Sequence, residues 1–340
     1  MFKRRSVLLA AISLLASTTA SLAEGSVNVY SYRQPQLVEP LFQAFTAKTG
    51  ITVKMVFAEK GLIERLEQEG PLSPADVLMS SDSGRLVEAA AKGLTQPVTS
   101  AAITDKVPEA VRDPAGQWFG LTKRARVIYA SKARVAQDAI SYEELADPKW
   151  KGKICTRPGD HPYNLALVAA FIAKRGEAET VAWLKAVKAN LAFKPNGNDR
   201  AQAKSVFAGE CDLAIGNTYY MGLMATNEKE PEQKDWAAAS KILFPSSAAM
   251  GTHVNISGML MTKNAPNKAN ALALMEFLAS DEAQSLYAAQ NFEYPVNPAV
   301  KPSDIVASWG QLVPDDLNVA EIAKHQKRAS ELVAEVGFND

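Results

Sequence analysis

Two adjacent tyrosines, Tyr219 and Tyr220, follow a short apolar run, Asp212–Ile215, and a polar turn, Gly216-Asn217-Thr218. The run reads as a strand, and Thr218 as the N-cap of a helix that opens with the two phenols. A helix N-terminus carries partial positive charge and favours an anion, a phenolate included. Open α/β sheets bind ligands just beyond the carboxyl ends of their strands. Tyr163 occupies an equivalent place, after a Lys153–Cys155 strand and at the start of an apolar helix. A phenol titrates near ~10, so at neutral pH only a strongly Lewis-acidic ion would deprotonate it. Ferric iron is such an ion, and hard oxygen donors suit it. The residues alone leave the alternative open, that the tyrosine pair is half-buried aromatic packing.

Other chemistry finds little support. The sequence carries no phosphate-binding or dinucleotide-binding glycine loop and no GxSxG elbow. His161, His253 and His325 are scattered without metal-ligand spacing and read as surface or hinge residues. No two carboxylates can be paired as acid and base from spacing, so the chain is not expected to be an enzyme.

The elements that would position the tyrosines alternate between strand and helix. Strands at Val27–Ser31, Thr52–Val56 and Asp76–Met79 are each followed by a helical pattern, the three patterns ending at Gly50, Gly70 and Gly93. The middle of the chain repeats the theme, with a strand at Ala125–Ala130 and helices around Leu165–Arg175, Ala178–Ala189 and Asp199–Phe207. Three helices close the chain: Lys268–Ala279, Asp281–Gln290 with Ser280 as N-cap, and Ala320–Val336. This is an α/β chain of two parallel-sheet lobes, one from residues 24–124 and 251–280, the other from 125–250 and 281–340. The crossings are expected near Leu121–Ile128 and Gly251–Ser257.

The N-terminus carries Lys3, Arg4 and Arg5, an apolar run from Val7 to Ala16, and small residues at Ser21-Leu22-Ala23. That is a secretory signal over residues 1–23, cleaved after Ala23, with the general secretory and twin-arginine routes both open. No cysteine follows the cleavage site, so no lipid anchor is expected. The mature chain keeps 34 basic against 37 acidic residues and no long basic run, which argues against nucleic acid as a partner. Cys155 and Cys211, an even pair in an exported chain, read as a disulfide.

Several segments in order carry a resemblance: Ser73-Pro74-Ala75-Asp76-Val77, Arg124-Ala125-Arg126-Val127, Gly197-Asn198-Asp199-Arg200, Cys211 through Tyr220, and Asn291 through Pro298. Together they resemble the periplasmic ferric-iron-binding proteins of bacterial ABC importers, most closely the iron-deficiency-induced, bacterial transferrin-like branch. The likeness spans nearly the whole mature chain. It implies a bilobal periplasmic solute-binding fold (type 2) hinged by two strands, with Fe3+ as cargo in the cleft. It implies Tyr219 and Tyr220 as ligands and Tyr163 as a third. It also implies a monomer that delivers iron to an inner-membrane permease driven by a cytoplasmic ATPase.

The sequence departs from that family at Gln34, Pro35 and Ser81, where relatives supply His, Tyr or a carboxylate. Tyr32 and Gln34 then become candidates for a further ligand or a supporting contact. Carbonate or another small synergistic anion would complete the coordination. Arg124 and Arg126, two apart on a strand and so on one face, are candidates to hold it. Two other readings of the fold remain: a carrier of an organic cation or oxyanion, and an exported enzyme.

Overall fold

The computed structural model describes residues 25–340, so the signal segment and its cleavage point lie outside the described residues. The first part of the chain runs β1 (Ser26–Ser31), α1 (Pro35–Thr49), β2 (Thr52–Phe57), α2 (Leu62–Glu69), β3 (Val77–Ser80), α3 (Ser83–Ala91) and a short α4 (Ala101–Thr104). The middle runs β4 (Phe119–Ser131), β5 (Ile154–Thr156), α5 (Pro162–Ala189), α6 (Asp199–Ala208), β6 (Leu213–Asn217), α7 (Thr218–Ala225), α8 (Glu232–Ala238) and β7 (Ser240–Leu243). The last part runs β8 (Val254–Met261), α9 (Lys268–Ala279), α10 (Asp281–Asn291), β9 (Tyr294–Pro295), α11 (Asp304–Ala307), α12 (Val319–Lys324) and α13 (Gln326–Glu335).

Local sequence explains most of these boundaries. Helix α1 buries Val38, Leu41, Phe42 and Phe45 along one stripe and stops at Gly50, whose φ of 77° is open to glycine at little cost. Helix α10 starts where the Ser280 hydroxyl accepts from the Ala283 amide. Helix α5 is interrupted by Gly176 at φ 78° and ψ 170°, so two helical stretches follow one another as the sequence suggests.

The strands hydrogen-bond in the order β2-β1-β3-β8-β4-β6-β5, with β7 and β9 also paired to β4. Strand β1 is parallel to β2 and β3, and β5 is parallel to β6, but β8 and β4 run antiparallel to all their partners. Each lobe therefore has a mixed sheet, not the all-parallel sheet expected. A strand that crosses from one lobe and a strand that returns must oppose their neighbours at the seam.

Strand β4 is the principal crossing. Its first half, from Phe119 to Ala125, pairs with β8, and its second half, Arg126 to Ala130, pairs with β6. It is longer than the expected Ala125–Ala130 strand because Thr122, Arg124 and Arg126 are buried within it. One core gathers β1, β3, the start of β4, most of β8 and α9; two others cover the two faces of the second sheet. Ala283, Tyr287 and Val296 pack in the first core, although the sequence reading gave 281–340 to the second lobe. The Gln284 amide fixes this placement by donating to the carbonyls of Leu121 and Leu278. The chain returns to the second lobe further on, where Ile322, Ala329, Leu332 and Phe338 are buried.

Cys155 and Cys211 form a disulfide with their Cα atoms 5.9 Å apart. It ties β5 to the segment entering β6, the two strands that lead to Tyr163 and to the tyrosine pair.

Candidate metal centre

A cleft of about 330 Å³ opens between the lobes. The first lobe contributes Tyr32, Arg33, Gln34 and Ser81; the second contributes Tyr163, Tyr219, Tyr220 and Arg200. The first-lobe residues lie in the loops after β1 and β3, and those of the second lobe in the first turns of α5, α6 and α7.

Tyr219 and Tyr220 are the second and third residues of α7, with ring centroids 4.2 Å apart. The turn before them is braced from below. Gly216 leaves the space that the Tyr129 ring fills, and the Tyr129 hydroxyl donates to the Asn217 carbonyl. The cap position is Asn217, one residue earlier than expected. Its side chain accepts from Arg126 Nη1 at 3.2 Å, and the Thr218 hydroxyl accepts from the Ala125 amide. Tertiary partners have taken both groups away from capping.

Tyr163 is the second residue of α5, after Pro162. His161 caps that helix, its Nδ1 accepting from the Tyr163 amide at 3.2 Å, and its ring lies edge-on 4.6 Å from the Tyr163 ring. The Tyr163 and Tyr219 hydroxyls approach to 3.3 Å. Burial, then the neighbouring phenols Tyr163 and Tyr220, raises Tyr219 well above 10; burial also raises Tyr220. In the metal-free protein both are neutral phenols at physiological pH.

Beneath the tyrosines lies a buried ionic network. The fully buried Asp199 accepts from Arg126 Nη1 at 2.9 Å, Arg157 Nη1 at 3.2 Å and the Asn217 amide at 3.0 Å. Asn164 accepts from Arg126 Nη2 at 2.7 Å and donates to Thr156 and to the carbonyls of Arg157 and Pro158. Every arm of Arg126 but Nε is engaged within the second lobe. Arg124 behaves differently: Nη1 donates to Ser257 at 3.2 Å and Nη2 to the Ser81 carbonyl of the first lobe, while Nε has no partner. Its guanidinium lies 5.5 Å from the Tyr163 ring centroid, and that of Arg157 lies 5.0 Å from the same ring. Arg200 stands 5.0 Å from the Tyr220 ring.

On the opposite wall, the Tyr32 hydroxyl accepts from the Ile63 amide at 2.9 Å and its ring lies 4.0 Å from the Arg85 guanidinium. The exposed Gln34 accepts from Gln36. Arg33 is paired with Glu293 at 3.1 Å, both buried, and Glu293 also accepts from Thr122. Sequence reasoning singled out neither this pair nor His161, Arg157, Asp199 and Arg200 as site residues, although Asp199, Arg200 and Glu293 lie inside the segments that carry the resemblance.

Among the described residues, no three His, Cys, Asp or Glu side chains come together as a metal site. The cleft offers phenol oxygens beside two guanidinium groups, Arg200 and an Arg33 already paired with Glu293, while Arg124 and Arg157 lie within 5.5 Å of the Tyr163 ring centroid. Cationic side chains this close favour a cation that arrives with phenolates or another anion to balance it.

The sequence matches the model of the bacterial extracellular solute-binding protein family over residues 73–311. It is 42% identical to iron uptake protein A1 of Synechocystis sp., over 92% of this chain and 87% of that protein. The structure is similar to ferric iron-binding protein A of Mannheimia haemolytica in an open conformation, with TM-score 0.88 and 48% identity over 93% of this chain and all of that one. It is also similar to a Trichodesmium protein in complex with iron and citrate, with TM-score 0.88 and 40% identity over 92% of this chain and 100% of that one. Phenols at strand ends in an interlobe cleft, and this likeness along nearly the whole chain, place the protein in the bacterial extracellular solute-binding protein family.

Proposed function

We propose that the protein is the ferric iron-binding component of a bacterial ABC importer. It captures Fe3+ in the interlobe cleft through Tyr163, Tyr219 and Tyr220 and delivers it to an inner-membrane permease powered by an ATPase. The carrying observation is the convergence of three tyrosines at two helix starts, in a cleft where, among the described residues, no His, Cys or carboxylate cluster competes. Three phenolates balance the charge of a trivalent ion, and the starts of α5 and α7 favour negative oxygen. Relatives named for iron uptake and ferric iron binding support the same cargo.

Three phenolates leave an octahedral ion three donors short. The Tyr32 hydroxyl oxygen accepts from the Ile63 amide, and Gln34 and Ser81 offer no anionic group. A small chelating anion then completes the set, with Arg124 or Arg200 against it; Arg126 is already spent on Asp199. Citrate accompanies iron in the Trichodesmium relative. The protein works in the periplasm after export and loss of residues 1–23, as a monomeric carrier and not a catalyst.

Arg200 in the cleft lining, with Arg124 behind the Ser81 loop, favours a second reading, an oxyanion cargo without metal. One experiment separates the two. Protein isolated from the periplasm of its native cells is assayed for bound metal and for organic ligand. Iron near one equivalent per chain supports the proposal, while metal-free protein holding an oxyanion supports the second reading.

A further inference from the structure

Two local rules are broken at one place where the lobes touch. Phe292, which ends α10, is the non-glycine residue with positive φ among the described residues, at φ 52° and ψ 30°. Gly222 sits inside α7, where glycine weakens a helix relative to alanine. The two meet: a Cβ placed on Gly222 would fall within 2.7 Å of the Cβ, Cγ and Cδ1 atoms of Phe292. The glycine is the space in which the ring lies.

The contact joins the lobes at the helix that carries Tyr219 and Tyr220. Helix α10 packs in the first core through Ala283 and Tyr287, and α7 packs in the second lobe through Met221 and Met224. The left-handed turn is held from both sides by first-lobe partners. Asn291 donates to the Leu37 carbonyl at 3.2 Å, and Glu293 is buried in its ion pair with Arg33. An unfavourable backbone conformation persists when its surroundings over-determine it, and such sites concentrate where they serve function.

We propose that Phe292 is a positioning residue: a latch from the first lobe that seats against Gly222 and holds the tyrosine-bearing helix across the cleft. Its effect on iron rests on the assignment of Tyr219 and Tyr220 as ligands; its effect on lobe closure does not. Removing the ring should loosen the loaded state without altering the metal's ligands. A half-buried ring contact is of the size that shifts an equilibrium roughly tenfold.

The test uses the full mature chain with Phe292→Gly, Gly222→Ala and the double variant. Glycine at 292 keeps the left-handed turn without strain, which offsets part of the lost ring contact, so the metal-free variant should still fold and melt in one cooperative transition. Iron release to excess chelator should be roughly tenfold faster in Phe292→Gly, with the visible band unmoved. Gly222→Ala should also speed release, by wedging a methyl into the ring, but should do no harm when added to Phe292→Gly. Small-angle scattering of the metal-free proteins reads the latch independently, and Phe292→Gly should have the larger radius of gyration. Unchanged scattering and unchanged release would overturn the latch, as would Gly222→Ala acting equally in both backgrounds. Altered scattering in Phe292→Gly, with a wild type that itself takes up no iron, would uphold the latch and sink the ligand assignment instead.

Discussion

Iron binding should expel protons in a number that the tyrosines fix. Burial holds Tyr219 and Tyr220 above the ordinary phenol value, so both enter the reaction protonated at pH 7. Ligation by both as phenolates must release two protons from these side chains alone. Linkage then makes the apparent ferric affinity fall about 100-fold for each unit of acidification, or about 2.7 kcal/mol, before any contribution from Tyr163. The perturbation is pH itself, stepped between 7.5 and 6.5. The assay is proton release in weakly buffered solution as ferric nitrilotriacetate is added, with the protons taken up by the freed chelator and by any hydroxide it carried added back, alongside competition titrations at each pH. Tyr219→Phe keeps the ring and deletes one ionisable oxygen, so its proton count should drop by one and its pH slope by about tenfold per unit. A wild-type count below one proton per iron, or the same slope in Tyr219→Phe, would refute phenolate ligation by the pair.

Three further outcomes are expected. Removing the Cys155–Cys211 bridge, which closes a separation of 56 residues, should cost about 4 kcal/mol of unfolding free energy in the loop-entropy account; a Cys155→Ser, Cys211→Ser protein as stable as wild type to denaturant would contradict it. Burial, with Arg126 and Arg124 adding to it, pulls His253 down to about 3, and its two ring nitrogens have no partner among the described residues. The unfolded chain therefore binds the extra proton below ~6.5, and stability is lost as pH falls from there toward 3. At pH 5 that loss is about 2 kcal/mol relative to pH 7. In denaturant melts at the two pH values His253→Gln should lose less by that amount; an identical pH dependence would show that the histidine does not report the buried hinge. Finally, bicarbonate added to carbonate-free buffer should tighten ferric binding by wild type about tenfold more than by Arg124→Ala, the scale of one charged hydrogen bond. Equal affinities under all four conditions would remove the anion from the site.

Much of the first lobe was legible because its elements are punctuated. Gly50 ends α1 and Gly93 follows α3, and apolar residues recur at helical spacing between them. The tyrosine positions were legible for the same reason, since strand, turn and helix follow one another within ten residues at Cys211–Tyr220. What escaped was information carried by distant partners. Strand β4 keeps Thr122, Arg124 and Arg126 buried, so no apolar run announces its true length. Nothing in an amphipathic helix names the lobe it covers, and α10 went to the wrong one; the Gln284 bond to Leu121, 163 residues away, decides it. Asp199 meets Arg157 and Arg126 across 42 and 73 residues, a network that spacing cannot reveal. Thr218 had the right chemistry for a cap, but a backbone amide of β4 claims its hydroxyl.

The central claim is tested most directly by titrating the metal-free protein with ferric iron while recording its visible spectrum. Wild type should bind one equivalent and become coloured by phenolate-to-iron charge transfer. Tyr163→Phe, Tyr219→Phe and Tyr220→Phe, each keeping its ring in place, should weaken both the band and the affinity. A colourless one-to-one complex, or wild-type colour and affinity in both Tyr219→Phe and Tyr220→Phe, would contradict the account.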